Sequence, residues 1–127
     1  MKLGADTMKP IYIQIAEWIE TQIVAGSLGS DGRVYSQYQL AEMFTINPAT
    51  AAKGLTALAD EGILYKKRGL GMFVTPHAVA IIMRKRRDKR LKQLVLELVL
   101  EAQRLNVQES ELAAMIVEAR SSLEGGV

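Results

Sequence analysis

From Pro10 onward the chain alternates apolar and polar positions at helical spacing. Ile11, Ile15, Trp18, Ile19 and Ile23 fall on one side, Gln14, Glu17 and Glu20 fall elsewhere, and Gln22 is the one polar interruption of the stripe. This predicts a helix over about 10–25, stopped by Gly26 in the left-handed position after its last turn. The stretch from Gly26 to Gly32 is rich in turn residues and reads as a loop. Ser36 followed by Gln39 has the spacing of a capping box, and Leu40, Ala41 and Phe44 then supply the apolar stripe of a short helix over about 37–44. After the turn at Thr45-Ile46, Asn47 is a good N-cap with Pro48 in the first helical position. Ala51, Leu55 and Leu58 form the inward face of a third helix that ends before Gly62.

The period then changes. Ile63 to Lys67 and Gly71 to Thr75 are strand-prone runs joined by Arg68-Gly69-Leu70, which predicts a β-hairpin. From about His77 to Leu105 the pattern is that of one long helix. Asn106 offers a left-handed stop, and Gln108 with Glu111 imitates a capping box before a last helix to about Ser122. Only the terminal residues look disordered, and no internal repeat is evident. Pro10 and Pro48 precede apolar-periodic stretches and Pro76 follows the hairpin, so all three prolines mark boundaries. Every aromatic residue, from Tyr12 to Phe73, precedes residue 74, where the chain changes character.

Composition narrows the chemistry. With 127 residues, 49% hydrophobic and 24% charged, the chain has room for one domain, or one small domain with an appendage. There is no cysteine and a single histidine, His77, which excludes disulfide scaffolds, thiolate zinc sites and multi-histidine metal centres; no cofactor or metal is expected. His77 reads as a helix-start residue. No apolar segment has the length of a signal core or a membrane span, so a cytoplasmic protein is the expectation. The formal net charge of +2 conceals three regions: residues 1–83 are neutral, residues 84–92 carry +6 and residues 93–127 carry −4.

Helix, short helix, tight turn, capped helix and basic hairpin is the order of a winged helix-turn-helix, so the fold class expected is mainly α with a small β-hairpin. In that arrangement the second helix braces the third, whose first turns face the DNA major groove. The early exposed positions of the third helix are Ala49, Thr50 and Lys53. Thr50 brings a hydroxyl and a methyl, Lys53 an ammonium able to reach guanine or phosphate, and Ala49 allows close approach. The hairpin carries Lys66, Lys67 and Arg68 beside a Gly69 tip that suits neighbouring phosphates or the minor groove. Tyr12 and Trp18 read as core.

These residues give the chain a family likeness over about 10–75. It resembles the GntR family of bacterial transcription regulators, in Pro10-Ile-Tyr-Ile-Gln-Ile15, in Ala25-Gly-Ser-Leu-Gly-Ser-Asp-Gly32 with one extra residue, in Ser36 to Phe44, in Asn47-Pro-Ala-Thr50 and in Glu61 to Val74. The resemblance implies DNA contacts at Ser36, Gln37 and Tyr38 beside those above. It also implies a repressor that occludes a promoter, often that of a transporter operon. The chain departs from the family pattern in two places. Where many members carry Pro-Ser-Glu-Arg before the second helix this chain has Tyr35-Ser36-Gln37-Tyr38, and an Arg common early in the recognition helix is Ala52 here. The operator sequence of better-known members therefore does not transfer.

The stretch after Val74 is too short for the large effector domain most members append, and it resembles the YtrA-like subfamily, whose two-helix tail dimerises. This divides the chain into a DNA-binding domain over 1–75 and a helical dimerisation region over 76–127. The residues point the same way. Leu91, Leu94, Val95, Leu98, Ala102 and Leu105 form a stripe, which Leu96, Val99 and Leu100 extend almost all round, so the helix must be buried on more than one side. The last helix, through Leu112, Met115, Ile116, Ala119 and Leu123, is expected to cover one side, and a second subunit the other. The run Arg84 to Lys92 stays open between a solvated face, pairing with a partner's acidic tail and phosphate contact. A membrane surface is disfavoured because the adjoining apolar stripe has a better use in dimerisation. No residue set identifies a small-molecule effector. Two rivals remain: a winged-helix protein-interaction module without DNA binding, and an enzyme, for which no nucleophile with a base, phosphate loop or metal set is present.

Overall fold

The structure is a computed structural model that describes Leu3 and residues 8–125. The expected disorder at the termini falls on residues outside these. The chain forms two compact units, the first ending at Lys85 and the second beginning at Arg86.

In the first unit α1 (Ile11–Val24), α2 (Gln37–Phe44) and α3 (Pro48–Asp60) precede the hairpin of β1 (Leu64–Lys67) and β2 (Gly71–Val74), and α4 (Ala78–Arg86) begins beyond it. The apolar spacing does what it predicts: Ile15, Ile19 and Ile23 of α1 are buried together with Leu40 and Phe44 of α2 and Ala51, Leu55 and Leu58 of α3. Each large side chain so buried contributes about 1.5–3 kcal/mol of transfer free energy. Gly54 is required by close approach, because a Cβ there would meet the Tyr12 carbonyl oxygen at 2.9 Å. Tyr12 and Trp18 are rim rather than core residues. Both are half-buried, and Trp18 bridges elements by packing edge-on to Phe44 at 5.1 Å and tilted against Tyr35 at 5.7 Å.

The hairpin is antiparallel, with Leu64 opposite Val74 and Lys67 opposite Gly71. The loop expected up to Gly32 ends in a short third edge. Asp31 N–H donates to the Val74 carbonyl at 2.8 Å, Val74 N–H to Gly32 at 2.9 Å and Val34 N–H to Met72 at 2.9 Å. Tyr65 ties this edge to the outer face of the wing, its hydroxyl donating to Asp31 Oδ1 at 2.7 Å. That hydrogen bond to a carboxylate raises the Tyr65 pKa above its ordinary 10.0. A raised folded-state pKa stabilises the fold at pH values below the unfolded one and ceases to do so as pH climbs through the folded one. The stability difference between the native chain and Tyr65→Phe should therefore hold steady from pH 7 to about 9.5 and shrink above pH 10. Urea midpoints across that range measure it, and a difference independent of pH would show that the bond does not form.

The first unit extends beyond the hairpin. Ala78 and Ile82 of α4 are buried in its core, and Lys85 closes it. Glu20, which falls off the apolar stripe of α1, is nonetheless only 2% exposed. Its carboxylate is ion-paired with Lys85, which also reaches Glu61 Oε2 at 2.7 Å. Burial pulls the Lys85 pKa down, yet the hydrogen bonds and charges of Glu20 and Glu61 outweigh it and hold the ammonium above its usual value. The lysine is thus a cation at neutral pH, as a buried carboxylate needs.

The second unit departs from one uniform helix. Arg87–Leu91 is a π-helical turn, flanked by right-handed helical backbone at Arg86 and Lys92, and α5 (Lys92–Arg104) follows. Asn106 adopts φ 59°, and the Asn106 and Val107 N–H groups donate to Gln103 and Ala102 in a Schellman closure, as the sequence suggested. α6 (Glu109–Glu124) starts without the capping box expected from Gln108 and Glu111. Gln108 carries one methylene more than the side chains that cap well. The expected cover of α5 by α6 is confined to the turn. Ala102 is the one buried residue among those described in this unit, Val107 and Leu112 are half-buried, and Met115 and Ile116 stay exposed.

Candidate nucleic-acid interface

The interface is built by local geometry. Ser36 Oγ accepts from Gln39 N–H at 3.1 Å while Gln39 Oε1 accepts from Ser36 N–H at 2.8 Å, so the capping box forms and fixes the start of α2. Thr45, at φ 55°, turns the chain sharply, and Ile46 N–H donates to the Ala41 carbonyl at 3.0 Å. α3 then opens on Asn47, whose Oδ1 accepts from Ala49 N–H at 2.8 Å, with Pro48 in the first turn. The inner face of α3 is held by Ala51, Gly54, Leu55 and Leu58. Its early outer face is left to Ala49, Thr50 and Lys53.

Thr50 is half-buried. Unlike Thr21, which back-bonds to the Glu17 carbonyl at 3.0 Å, its hydroxyl makes no hydrogen bond among the described residues, so it is available to a ligand. Lys53 is exposed but not idle: its ammonium rests 4.2 Å from the centre of the Tyr12 ring. Such an exposed cation–π contact is worth about 0.5–1 kcal/mol, which reaching for DNA would forfeit.

The three basic residues of the wing separate by strand alternation. Lys66 shares a face with buried Leu64 and turns toward α3 and the start of α2, lining a cavity of about 250 Å³ with Gln37, Tyr38 and Thr56. Lys67 lies on the opposite face, 4.7 Å from the Phe73 ring, which stacks on Tyr65. Arg68 stands at the tip, exposed beside Gly69, whose φ of 79° the turn requires. The structure therefore brings Ser36, Gln37, Tyr38 and Lys66 to one cleft and places Arg68 and Gly69 at the tip, while Lys67 is engaged by aromatics. Arg33 was not singled out from the sequence. It lies on the short edge paired with β2 and lines the same cleft. Its isolated position between a loop and a capping box gave no local signal.

In the second unit the residues expected at a dimer contact are mostly bare: Leu91, Leu94, Val95, Leu98 and Leu105 are all exposed, by 42% at Leu98 and 64% at Leu105. Val99, Ala102, Leu112 and Ile116 line an open apolar cavity between α5 and α6.

No protein-family model matches the chain. It is 26% identical over 117 residues to the HTH-type transcriptional repressor YtrA of Bacillus subtilis, covering 92% of this chain and 89% of that protein. A putative GntR-family transcriptional regulator from Bacteroides thetaiotaomicron superposes with a TM-score of 0.75 at 28% identity, over 90% of this chain and 99% of that one. The chain is thus similar over most of its length to GntR-family transcription regulators. Its architecture is YtrA-like, with a winged helix-turn-helix and a two-helix tail. The reading head is also 39% identical over 75 residues to the HTH-type transcriptional repressor NagR of Bacillus subtilis, covering 59% of this chain. The chain spans only 31% of the length of NagR. The DNA-binding domain of AraR in complex with operator ORE1 matches at 32% identity with a TM-score of 0.52, over 57% of this chain and 89% of that one. These relatives are transcription regulators, not enzymes. Among the described residues no helix is long and apolar enough to cross a membrane.

Proposed function

We propose that the protein is a sequence-specific DNA-binding transcription regulator, a cytoplasmic homodimer that represses by occupying an inverted-repeat operator. The observation that carries this reading is the N-capped α3, braced by α2, with Ala49, Thr50 and Lys53 on its outer first turns and Arg68 at the adjoining wing tip. The likeness to an operator-bound AraR domain and to two named repressors supports both the DNA partner and the sign of regulation. The domain division, a reading head and a helical tail, is proposed with the boundary near Lys85, where the buried core ends.

Dimerisation is supported by the bare stripe of α5. Apolar side chains from Leu91 to Leu105 are exposed on more than one face, a pattern a second copy would bury. Two copies would read half-sites spaced by about one helical turn of DNA, ~34 Å, or a multiple of it.

Lys53→Ala should weaken operator binding by about 1 kcal/mol, the low end of the range for a base or phosphate contact, because the native ammonium gives up its Tyr12 contact on binding. Arg68→Ala should lower affinity about equally for operator and scrambled duplexes and flatten the salt dependence. Anisotropy titrations at two salt concentrations test both. If neither variant changes them, the protein-interaction reading replaces this one.

A further inference from the structure

The cleft between the wing and the start of α2 holds a charge arrangement that the reading head does not itself satisfy. Arg33 comes from the edge paired with β2 and Lys66 from β1, and both line the one cavity of about 250 Å³. Among the described residues neither has a carboxylate partner, and no aspartate or glutamate lines the cavity. Its other polar lining, at Tyr35, Ser36, Gln37, Tyr38 and Thr56, consists of hydroxyls and one amide, all able to donate. The space is kept by Gly71, at φ 108°, where a Cβ would come within 3.2 Å of Arg33 Nε. Two cations facing one cavity without an acid repel each other in the free protein, and an anion between them removes that repulsion while gaining two charge-assisted hydrogen bonds.

We propose that Arg33 and Lys66 form a clamp for one DNA backbone phosphate, bound between the wing and α2 while α3 lies in the groove. This rests on the DNA-binding reading and adds to it a residue, Arg33, and a division of labour. The clamp fixes the position of the reading head on the duplex, whereas Ala49, Thr50 and Lys53 read the bases. A phosphate is the ligand of choice because it accepts the planar guanidinium bidentately and the ammonium as a point charge.

The test is the salt dependence of binding by the full chain, carrying Arg33→Gln, Lys66→Gln or both, to an operator duplex and to a scrambled duplex. A single shared phosphate predicts non-additivity: each single variant loses most of the effect, and the double variant lowers the slope of log K against log salt by about 0.9 in total. The ratio of operator to scrambled affinity should not change. A slope change near 1.8, additive over the two variants, would mean separate phosphates and overturn the clamp, as would an unchanged slope or a collapse of the ratio. Thermal melts of the same variants should match that of the native chain, because both side chains are exposed; a large drop would reassign Arg33 to a structural role. Inorganic phosphate, added at constant ionic strength, separates a backbone phosphate from a free anion. Binding of inorganic phosphate that the double variant abolishes but that leaves duplex affinity unchanged at saturation would assign the cleft to free anions and refute the DNA clamp, whereas saturable competition with the duplex that the double variant abolishes supports it. If the native chain binds neither duplex, the DNA-binding reading fails and the clamp with it; native binding with unaltered slopes in the variants defeats the clamp alone.

Discussion

Leu98→Arg should convert the protein to a monomer and lower operator affinity by about 10²-fold or more. Leu98 is 42% exposed at the centre of a bare α5 stripe that runs from Leu91 to Leu105. α6 does not cover it, because the packing of the two helices buries only Ala102 among the described residues of the tail. A guanidinium placed there would have to be desolvated against apolar side chains of the second copy, without an acidic partner of its own. The larger consequence is at the DNA. Two tethered reading heads gain about 10²–10⁴ over one through effective concentration, and a monomer loses that gain without losing any residue of the interface. Sedimentation velocity and operator titration of the same variant measure the two effects. A variant that remains dimeric contradicts the assignment of α5 to the dimer contact.

Lys85→Met should destabilise the reading head by about 3 kcal/mol, the lower end of the range for stripping one partner from a buried ion pair, because the lysine is itself partly exposed. The cost arises from what is left behind: a Glu20 carboxylate that is 2% exposed, with its cation gone. Adding Glu20→Leu should recover most of the loss, since replacing a buried pair by apolar side chains is often neutral or better. The pH dependence provides a second signature. The folded-state pKa of Lys85 lies above its ordinary 10.5, so its contribution is complete at pH values below that and is lost as pH rises through the folded value. The stability gap between native and Lys85→Met should thus be constant near neutrality and close only in strong alkali. Urea denaturation of the single and double variants measures this, and a single variant as stable as the native chain would remove the ion pair from the account.

These two variants also mark where the sequence was readable. The capping box at Ser36 and Gln39, the Asn47-Pro48 start of α3, the hairpin and the Asn106 stop are all carried by residues within a few positions of one another, and all are present. Backbone hydrogen bonding and φ preferences act over that range, so pattern suffices. The Glu20 to Lys85 pair was not legible. The partners are far apart in the chain, and nothing near Glu20 in sequence announces the cation that Lys85 brings from α4. The third edge of the wing was hidden for the same reason. Asp31 to Val34 carry turn residues, and their pairing with β2 is decided by tertiary packing. Arg33 was missed with it. At Gln108 and Glu111 a spacing rule was satisfied by a side chain of the wrong length, and the cap did not form.

Charge is read differently after the fold is known. The reading head, neutral over residues 1–83, owes little to bulk attraction for DNA. Its candidate contacts are local ones, at Arg68 on the wing tip and at Lys66 and Arg33 in the cleft, and Lys67 is engaged by Phe73. Affinity should therefore depend on geometry and on having two heads. Of the basic run at 84–92, Lys85 has a structural duty in the first unit.

In the proposed function the outer first turns of α3 and the wing, from two copies, read a DNA sequence together. Selection of bound duplexes from a random pool by the native chain, with sequencing of what is retained, is the decisive experiment. The expected result is enrichment of an inverted repeat with half-sites about one helical turn, or a multiple, apart, and loss of that enrichment with Leu98→Arg. Retention of no duplex, or of all sequences equally, would contradict it.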